Sequence, residues 1–422
     1  MSNVTHLTKK GGVKMKKLLI VFLALALTGG LIFPLSRAGA AAKTEILIGA
    51  INSMTGGEAM VGVEHRWAYE QAVRDINARG GLFVKEFNKK LPVKLIIADD
   101  QSSPAGASAA AEKLIKLDKV DFLLGSTDTP FNINIAAVSE KYKKLLVTTT
   151  FFPENFAEQK LSWAVDSFFS IAELGNSAAA SLDPIPPAQR PKNFCVLVED
   201  NEDGQSFNKF GAGPVLEKYK YHVALLESYT PGSKDFSSSI LRMKDANVDA
   251  IITLCSSTDG MTFIRQMKEA NFAPKYIWGA RGFWPIEFGE SLGKDANYII
   301  SDGHWAEALG APGSKALGDK YRAKYGPTKN SVTIGNFYSL VQALGQAIEK
   351  AGTLDNTKIR DLFYSGTFVA KDTTEGDLAF NKQGLAQFKA VALQWMDGKR
   401  MPVYPVSPKI WTIKLMPPWD KR

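Results

Sequence analysis

Residues suited to binding a small molecule follow several short apolar runs of the sequence, where hydroxyl, acidic and aromatic side chains are concentrated. If these runs are parallel strands, their carboxyl ends meet at one edge of a sheet, where ligands of doubly wound sheets bind. Each such residue could equally cap the next helix. Because several loops of this kind converge, we favour a small-molecule site. The candidate contacts are Ser53, Thr127, Thr129, Thr149, Thr150, Phe151, Asp203, Ser256 and Arg281.

Signatures of catalysis are sparse. The sequence holds no Walker-type loop, and the glycines at 211–213 lack the third glycine and the preceding strand of a dinucleotide site, which predicts local packing instead. The acidic pairs at 99–100 and 199–200 follow apolar runs, where such pairs more often cap the next helix than perform acid–base chemistry. We therefore expect no catalytic residue, metal or cofactor. The histidines that follow the first 42 residues match no zinc pattern, and they are His65, His222 and His304.

The first 42 residues predict export. They carry no acid, and their apolar run at 18–27 is followed by helix breakers at 28–30 and small residues at 38–42, the order of a cleavable signal peptide. A retained membrane anchor is the alternative, but the run is shorter than the ~20 residues that span a bilayer. We expect a mature chain in the periplasm or outside the cell. The basic residues of this segment are Lys9, Lys10, Lys14, Lys16, Lys17 and Arg37.

The charge balance argues against nucleic acid as a partner. The formal charge of +8 comes from 51 basic and 43 acidic residues, and most of the excess lies in the predicted signal peptide. The rest of the chain has no basic run that would release counterions on binding phosphates.

The two cysteines are predicted to be reduced and buried. Cys195 lies near the start of one predicted strand and Cys255 at the end of its neighbour, an offset of roughly 13 Å along the strands. This separation exceeds the ~7 Å between Cα atoms that a disulfide can bridge.

Beyond the leader, short apolar runs alternate with helical patterns, which indicates parallel sheets covered by helices on both faces. A proline-rich break at 183–187 separates two sets of such units and predicts two lobes. The helical pattern at 331–350 has no strand of its own to cover, so we expect it to return to the first lobe. The main predicted strands are 46–51, 93–98, 122–124, 145–147, 194–198, 222–228, 250–254 and 276–278.

We predict an α/β protein of two doubly wound, Rossmann-like lobes joined by a hinge that the chain crosses several times. The expected signal peptide occupies 1–42, and the first lobe occupies 43–170 and 303–385. The second lobe occupies 171–302 and 386–422, together with hinge crossings. A hinge beside a cleft is suited to closing on a ligand.

Several short motifs resemble one known family. They include Thr55-Gly56, the segment 75–81, Ser103-Pro104, the segment 234–236 before a helix, and the segment 347–352. In their order along the chain they resemble the type 1 periplasmic binding proteins of branched-chain amino acid ABC importers, the Leu/Ile/Val-binding kind. The resemblance implies the periplasmic binding protein-like I fold and a monomer.

The resemblance also implies roles for the candidate contacts. Thr127, Thr129, Thr150 and Phe151 stand where the family's first lobe holds a ligand carboxylate through hydroxyls and backbone N–H groups. In the second lobe the sequence departs from the family, because two tyrosine-like positions hold Asp203 and Ser256 and the position of the acid that pairs with the ligand ammonium holds Arg281. A tyrosine of the first lobe is replaced by Val61.

The departures leave the ligand open. An arginine that faces the ligand would favour a carboxylate and repel an ammonium group, although Asp203 could still bind that ammonium. Alternatively, Arg281 pairs with Asp203 or Asp259 and only shapes the cleft. Aromatic side chains could form an apolar wall of the cleft, which would favour an aromatic or aliphatic carboxylate as well as hydrophobic amino acids. Phe283 and Trp284 could instead pack against the following helix. The candidate wall residues are Phe151, Phe152, Phe283 and Trp284.

The function that the resemblance implies is that of an exported receptor, which binds a small carboxylate-bearing ligand and delivers it to membrane permease subunits driven by cytoplasmic ATPases. One alternative is a ligand other than an amino acid, such as an aromatic carboxylate or an amide. Others are a ligand sensor for a signalling partner and an extracytoplasmic enzyme on the same kind of fold.

Overall fold

The structure is a computed structural model that describes residues 43–408 and 410–422. The predicted signal peptide at 1–42 lies outside these residues. None of the helices in the described part of the chain combines the length and the hydrophobicity that a membrane span requires.

Strands and helices alternate along most of the chain. The strands are β1 (Ile46–Asn52), β2 (Leu82–Val84), β3 (Lys89–Leu91), β4 (Val93–Asp99), β5 (Phe122–Leu124), β6 (Leu146–Thr148), β7 (Ala164–Ser167), β8 (Asn193–Glu199), β9 (His222–Tyr229), β10 (Ala250–Cys255), β11 (Tyr276–Arg281), β12 (Ile300–Gly303), β13 (Val369–Thr373), β14 (Gly376–Ala379), β15 (Leu385–Ala386), β16 (Val391–Met396) and β17 (Lys399–Tyr404). The helices are α1 (Ala59–Ala78), α2 (Pro104–Lys116), α3 (Thr129–Tyr142), α4 (Pro153–Gln159), α5 (Ile171–Ala180), α6 (Glu202–Ser206), α7 (Gly213–Lys218), α8 (Ser237–Asp245), α9 (Ser257–Glu269), α10 (Ile286–Leu292), α11 (Ser314–Tyr325), α12 (Ile334–Ala351) and α13 (Asn356–Phe363).

The first sheet has six strands in the order β15-β7-β6-β5-β1-β4, and its pairs are parallel. Ile48 of β1 lies opposite Leu95 of β4 and Phe122 of β5, so the apolar runs of the sequence form the centre of the sheet. We call this sheet and the helices packed on it the first lobe.

The second sheet has seven strands in the order β17-β16-β12-β11-β10-β8-β9. Strands β8 to β12 pair in parallel, whereas β16 and β17 add an antiparallel hairpin at the edge. We call this sheet and its helices the second lobe. Strand β11 extends to Arg281, three residues beyond the predicted end of this strand, which brings that side chain to the sheet edge where ligands bind.

The chain passes between the sheets three times, after β7, after β12 and after β15. Following β12, helix α12 packs on the first sheet, and its Phe337 and Leu344 share a core with Ile48 of β1 and Tyr69 of α1. The long helix predicted from 331–350 therefore returns to the first lobe, as expected. The two lobes are therefore joined by three crossings of the chain.

The acidic pairs after β4 and β8 do not cap the following helices. Ser103 Oγ caps α2 by accepting from the Gly106 N–H, and Asn201 Oδ1 caps α6 by accepting from the Gly204 N–H. The expectation that these pairs are helix caps is therefore wrong, because a serine and an asparagine nearer the helices take that position. Glu199 is thereby left for another partner.

Cys195 and Cys255 are both free and buried, as predicted. Cys195 lies opposite Ile251, four residues before Cys255 on the neighbouring strand β10. The glycine-rich segment at 211–213 has the packing role that was expected, because a Cβ on Gly211 would lie 2.7 Å from the Phe207 ring and 3.0 Å from the Ile171 carbonyl.

Candidate functional site

A cavity of about 390 Å³, its opening to solvent included, lies between the carboxyl ends of the two sheets. Both lobes contribute to its lining. The lining residues are Thr127, Asp128, Thr129, Thr150, Phe152, Phe168, Phe169, Leu174, Asp203, Leu254, Ala280, Arg281, Trp284, Asp302 and His304.

In the first lobe, the loops after β5 and β6 are locked together by Asn132. Its side-chain oxygen accepts from the Ser126 N–H at 2.9 Å, and its amide donates to the Thr149 carbonyl at 2.9 Å. Gly125, at the end of β5, leaves no room for a Cβ, which would lie 1.9 Å from Thr148 Oγ1. The hydroxyl residues that follow both strands are therefore held in fixed positions.

Thr127 lines the cavity and rests on buried polar groups beneath it. The Ser53 hydroxyl donates to Asp100 Oδ1 at 2.8 Å, so in its 2.9 Å contact with Thr127 the threonine hydroxyl is the donor. Ser126 donates to the other oxygen of Asp100. Burial raises the pKa of Asp100, although these hydroxyl donors lower it. Ser53 thus holds the Thr127 side chain in position from behind the cavity lining.

Five of the predicted contacts line the cavity and four lie behind it. Behind the lining, the Thr149 hydroxyl donates to the Ser167 carbonyl at 2.7 Å, and the Phe151 ring packs in the first-lobe core 5.2 Å from Phe156. Ser256 caps α9 and Ser53 supports Thr127. The five in the lining are Thr127, Thr129, Thr150, Asp203 and Arg281.

In the second lobe, Arg281 ends β11 with a positive φ of 60°. Its backbone N–H donates to Asp302 Oδ1 at 2.8 Å, which holds this unusual conformation. Thr150, on the opposite wall of the cavity, also has a positive φ of 53°. Strained backbone of this kind concentrates at functional sites.

The Arg281 guanidinium joins the two lobes through four buried carboxylates. Its Nη1 lies 3.2 Å from Asp203 and 3.3 Å from Asp128, its Nε lies 3.5 Å from Glu58, and its Nη2 bonds Glu199. Glu58 and Asp128 belong to the first lobe, the other two to the second. We call these five residues the cleft cluster. Of the sequence alternatives for Arg281, pairing with Asp203 is the one present.

Burial dominates the electrostatics of the cleft cluster. It raises the pKa of Glu58 to about 7 and that of Asp203 to about 6, although the Arg281 guanidinium lowers both. Burial likewise raises the pKa of Asp128 well above its ordinary value. It also raises the pKa of Asp302, which lies next to the cluster, to about 7. Near neutral pH, several of these carboxyl groups therefore share their sites with protons.

Aromatic rings form the rest of the cavity wall. Phe168 and Phe169 stack with centroids 4.0 Å apart, and the His304 ring meets Phe168 edge-on at 4.9 Å. Burial lowers the pKa of His304 to about 3, so the imidazole is neutral. Trp284 lines the cavity as predicted for the apolar wall, whereas Phe283 packs on Phe288 in the core of the second lobe.

Five atoms close to the cavity are buried without a hydrogen-bond partner among the described residues. They are Glu58 Oε2, Asp203 Oδ1, Arg281 Nε, His304 Nδ1 and Trp284 Nε1. Buried polar groups in proteins are usually satisfied, so these orphaned atoms point to a ligand or water in the cavity. Within the described ranges, no group of three or more His, Cys, Asp and Glu side chains is arranged to hold a metal ion.

A second buried arginine joins the lobes on the hinge side. The Arg400 guanidinium of β17 lies 3.4 Å from Glu64 of α1, and it also donates to the Trp284 carbonyl. Both oxygens of Glu64 accept further hydrogen bonds, from Tyr321 at 3.3 Å and from Thr333 at 2.9 Å. We call Glu64 and Arg400 the hinge pair.

Two doubly wound lobes with a cavity between them define the class of two-lobed solute receptors. The chain belongs to the periplasmic binding protein family, whose model matches residues 45–399. The sequence-based family assignment and fold class are thereby confirmed.

Relatives of known name support this assignment. The chain is 24% identical over 396 residues to Leu/Ile/Val-binding protein homolog 7 of Brucella abortus (strain 2308), covering 90% of this chain and 96% of that protein. It is 26% identical over 393 residues to the leucine-, isoleucine-, valine-, threonine- and alanine-binding protein of Pseudomonas aeruginosa, covering 92% of this chain and 97% of that protein.

Solved structures show the same fold. The branched-chain amino acid transporter substrate-binding protein LivJ of Streptococcus pneumoniae, in complex with isoleucine, matches with a TM-score of 0.73 and 20% identity, covering 85% of this chain and 98% of that one. The leucine-binding protein LivK of Thermotoga maritima also matches with a TM-score of 0.73, at 21% identity, covering 85% of this chain and 97% of that one.

Proposed function

We propose that this protein is the extracytoplasmic solute-binding component of an ABC importer and that its lobes close on a small ligand. The observation that carries the proposal is the cavity, because residues of both lobes line it. A ligand held from both sides favours the closed arrangement over an open one, and only that difference in affinity can shift the equilibrium.

The ligand in this proposal is small, with a polar group at one end and an apolar body. The polar end would face Thr127, Asp203 and Arg281, and the apolar body would lie against Phe168 and Trp284. The names of the relatives favour an amino acid or a related compound. Membrane permease subunits with cytoplasmic ATPases are the proposed partners. We propose a monomer that performs no chemistry on its ligand.

Thermal unfolding of the purified protein tests ligand binding. The panel comprises amino acids, amines, carboxylates and amides of matched size. A ligand at 100 times its dissociation constant adds about 2.7 kcal/mol to stability, so its melting shift is readily measured. If no compound of this size raises the melting temperature, the proposal loses its support.

Uptake by cells tests the transport role. Deleting the gene is expected to abolish uptake of the bound compound, and restoring the gene should recover it. Normal uptake together with a lost transcriptional response to the same compound would instead identify a sensor.

A further inference from the structure

The cleft cluster contains more carboxylates than its single cation can balance. Four carboxyl groups contact the Arg281 guanidinium, and a fifth, that of Asp302, accepts from the backbone N–H of the same residue. Among the described residues that line the cavity, Arg281 is the one side chain with a permanent positive charge. Carboxylates that share one buried site repel one another unless a cation or a proton joins them. Without a further cation, protons must supply the missing positive charge.

Two carboxylate oxygens of the site lack hydrogen-bond partners among the described residues, which agrees with this shortage of cations. Asp203 is only 4% exposed and lines the cavity, yet its Oδ1 lacks a hydrogen-bond partner among the described residues. Glu58, 6% exposed, has a second oxygen in the same state. Ionised carboxylates only accept hydrogen bonds, so both atoms require a donor. A cationic donor would supply the bond and the missing charge together.

The hydroxyl donors of the first lobe are already engaged, so the donors in the lining that lack a partner among the described residues are Trp284 Nε1 and Arg281 Nε, the latter 3.5 Å from Glu58. The Thr127 hydroxyl is directed at Ser53, and the Thr150 hydroxyl donates to the Ser126 carbonyl at 2.7 Å. The Nη1 and Nη2 atoms of Arg281 already donate to Asp203 and Glu199. Asp128 projects from the same loop as Thr127 and lines the cavity, where burial raises its pKa, so a nearby cation favours its ionised form.

The remaining wall suits the body of an organic cation. Phe152, Phe168 and Trp284 present aromatic surface beside the acidic end. Aromatic faces attract ammonium groups and also bury apolar carbon. An inorganic cation would leave this surface without a partner.

The following inference rests on the proposed function. We propose that the cleft selects a small organic amine whose ammonium group binds the acidic end of the cavity. The ligand needs no carboxylate. Its body is aromatic or branched aliphatic. This assignment reverses the preference for a carboxylate that Arg281 indicates in the sequence alone.

Two matched series of probes test this inference by thermal unfolding and titration calorimetry. One series is 2-phenylethylamine, phenylalanine and 3-phenylpropionate, and the other is 3-methylbutylamine, leucine and 4-methylpentanoate. Each series keeps the body constant and varies only the charged groups. We expect at least one amine to bind and both acids to fail.

The outcomes separate the inference from the function on which it rests. The amine assignment is overturned if an acid binds, or if an amino acid binds and the amine of the same series does not. Either result leaves the binding function intact. Failure of all six probes while another compound of the wider panel binds overturns the amine assignment alone, and failure of the whole panel contradicts both.

A pair of variants locates the amine contact. Asp203→Asn is expected to weaken amine binding roughly tenfold to a hundredfold, the range for a lost hydrogen bond between charged groups. Asp200→Asn removes an exposed carboxylate from the same loop and should leave the affinity within about twofold. An Asp203→Asn protein that melts normally without ligand but binds the amine as tightly as the wild type overturns the assignment.

The pH dependence gives an independent readout. The carboxyl groups and cations that face one another are Glu58, Asp128, Glu199, Asp203, Asp302 and Arg281, with Glu202 and Asp259 nearby. Because an ammonium ligand favours their ionised forms, its affinity should rise between pH 5 and pH 8. An affinity that falls over this interval contradicts the inference.

Discussion

Two arginines are buried between the lobes, and their surroundings differ in charge balance. In the hinge pair, Arg400 meets one carboxylate, Glu64, whose two oxygens also accept bonds from hydroxyl groups. In the cleft cluster, Arg281 meets four carboxylates, and two of their oxygens lack partners among the described residues. A satisfied pair holds a structure together, whereas an unsatisfied cluster leaves a place for a ligand.

The hinge pair should matter most for stability. Arg400→Met leaves the Glu64 carboxylate buried without its cation, and breaking a buried pair typically costs roughly 3–5 kcal/mol of unfolding free energy. Chemical denaturation measures this loss. Lys315→Met, which removes an 81% exposed partner of Asp319, serves as the control and should cost at most about 1 kcal/mol. Equal losses in both variants would remove the structural distinction of the hinge pair.

The cleft cluster should respond to pH when its cation is removed. Arg281 lowers the pKa of Glu58 and Asp203, so Arg281→Met raises both further above their unfolded values. A carboxyl group with a raised folded pKa stabilises the protein at low pH and loses that contribution as pH rises through the folded value.

The melting temperature of Arg281→Met should therefore fall further below that of the wild type at pH 8 than at pH 5. A difference of one pKa unit in one carboxyl group corresponds to about 1.4 kcal/mol. The comparison with the wild type at each pH cancels the contribution of the buried histidines. If the difference in melting temperature between Arg281→Met and the wild type is the same at both pH values, the carboxyl groups of the cleft cluster do not share protons as described.

The aromatic side of the cleft should have a smaller effect. Phe168→Leu keeps apolar volume but removes the aromatic face, so we expect the dissociation constant of the bound amine to rise about threefold. Phe83→Leu, at a 40% exposed position of the β2–β3 hairpin, should change nothing measurable. Calorimetry compares the two. An unchanged dissociation constant in Phe168→Leu would mean that the aromatic face does not contact the amine.

The parts of the fold with local signals could be predicted from the sequence. Apolar runs predict the central strands to within a few residues, and Gly80 and Gly81, both with positive φ, follow the end of α1. The β13–β14 hairpin and the short β7 were not predicted, because each is short and depends on tertiary packing.

The site was only partly predictable. Asp128 and Glu199 stand at strand ends, yet their types also fit helix caps, and Glu58 has no local signal because its role arises only when the second lobe meets the first. Phe151 precedes Phe152 in an apolar pair, and the local sequence does not tell which ring turns into the core and which into the cavity. Charge balance across two lobes becomes visible only in three dimensions.

Proton exchange on binding tests the central claim most directly. Calorimetry of 2-phenylethylamine binding at pH 6.5, repeated in two buffers with different ionisation enthalpies, gives the number of protons gained or lost. Glu58 and Asp203 have pKa values raised to about 7 and about 6, so an incoming ammonium group should drive protons off the cleft cluster. Proton release is the predicted result, and proton uptake or no exchange would contradict a cation-selective cleft.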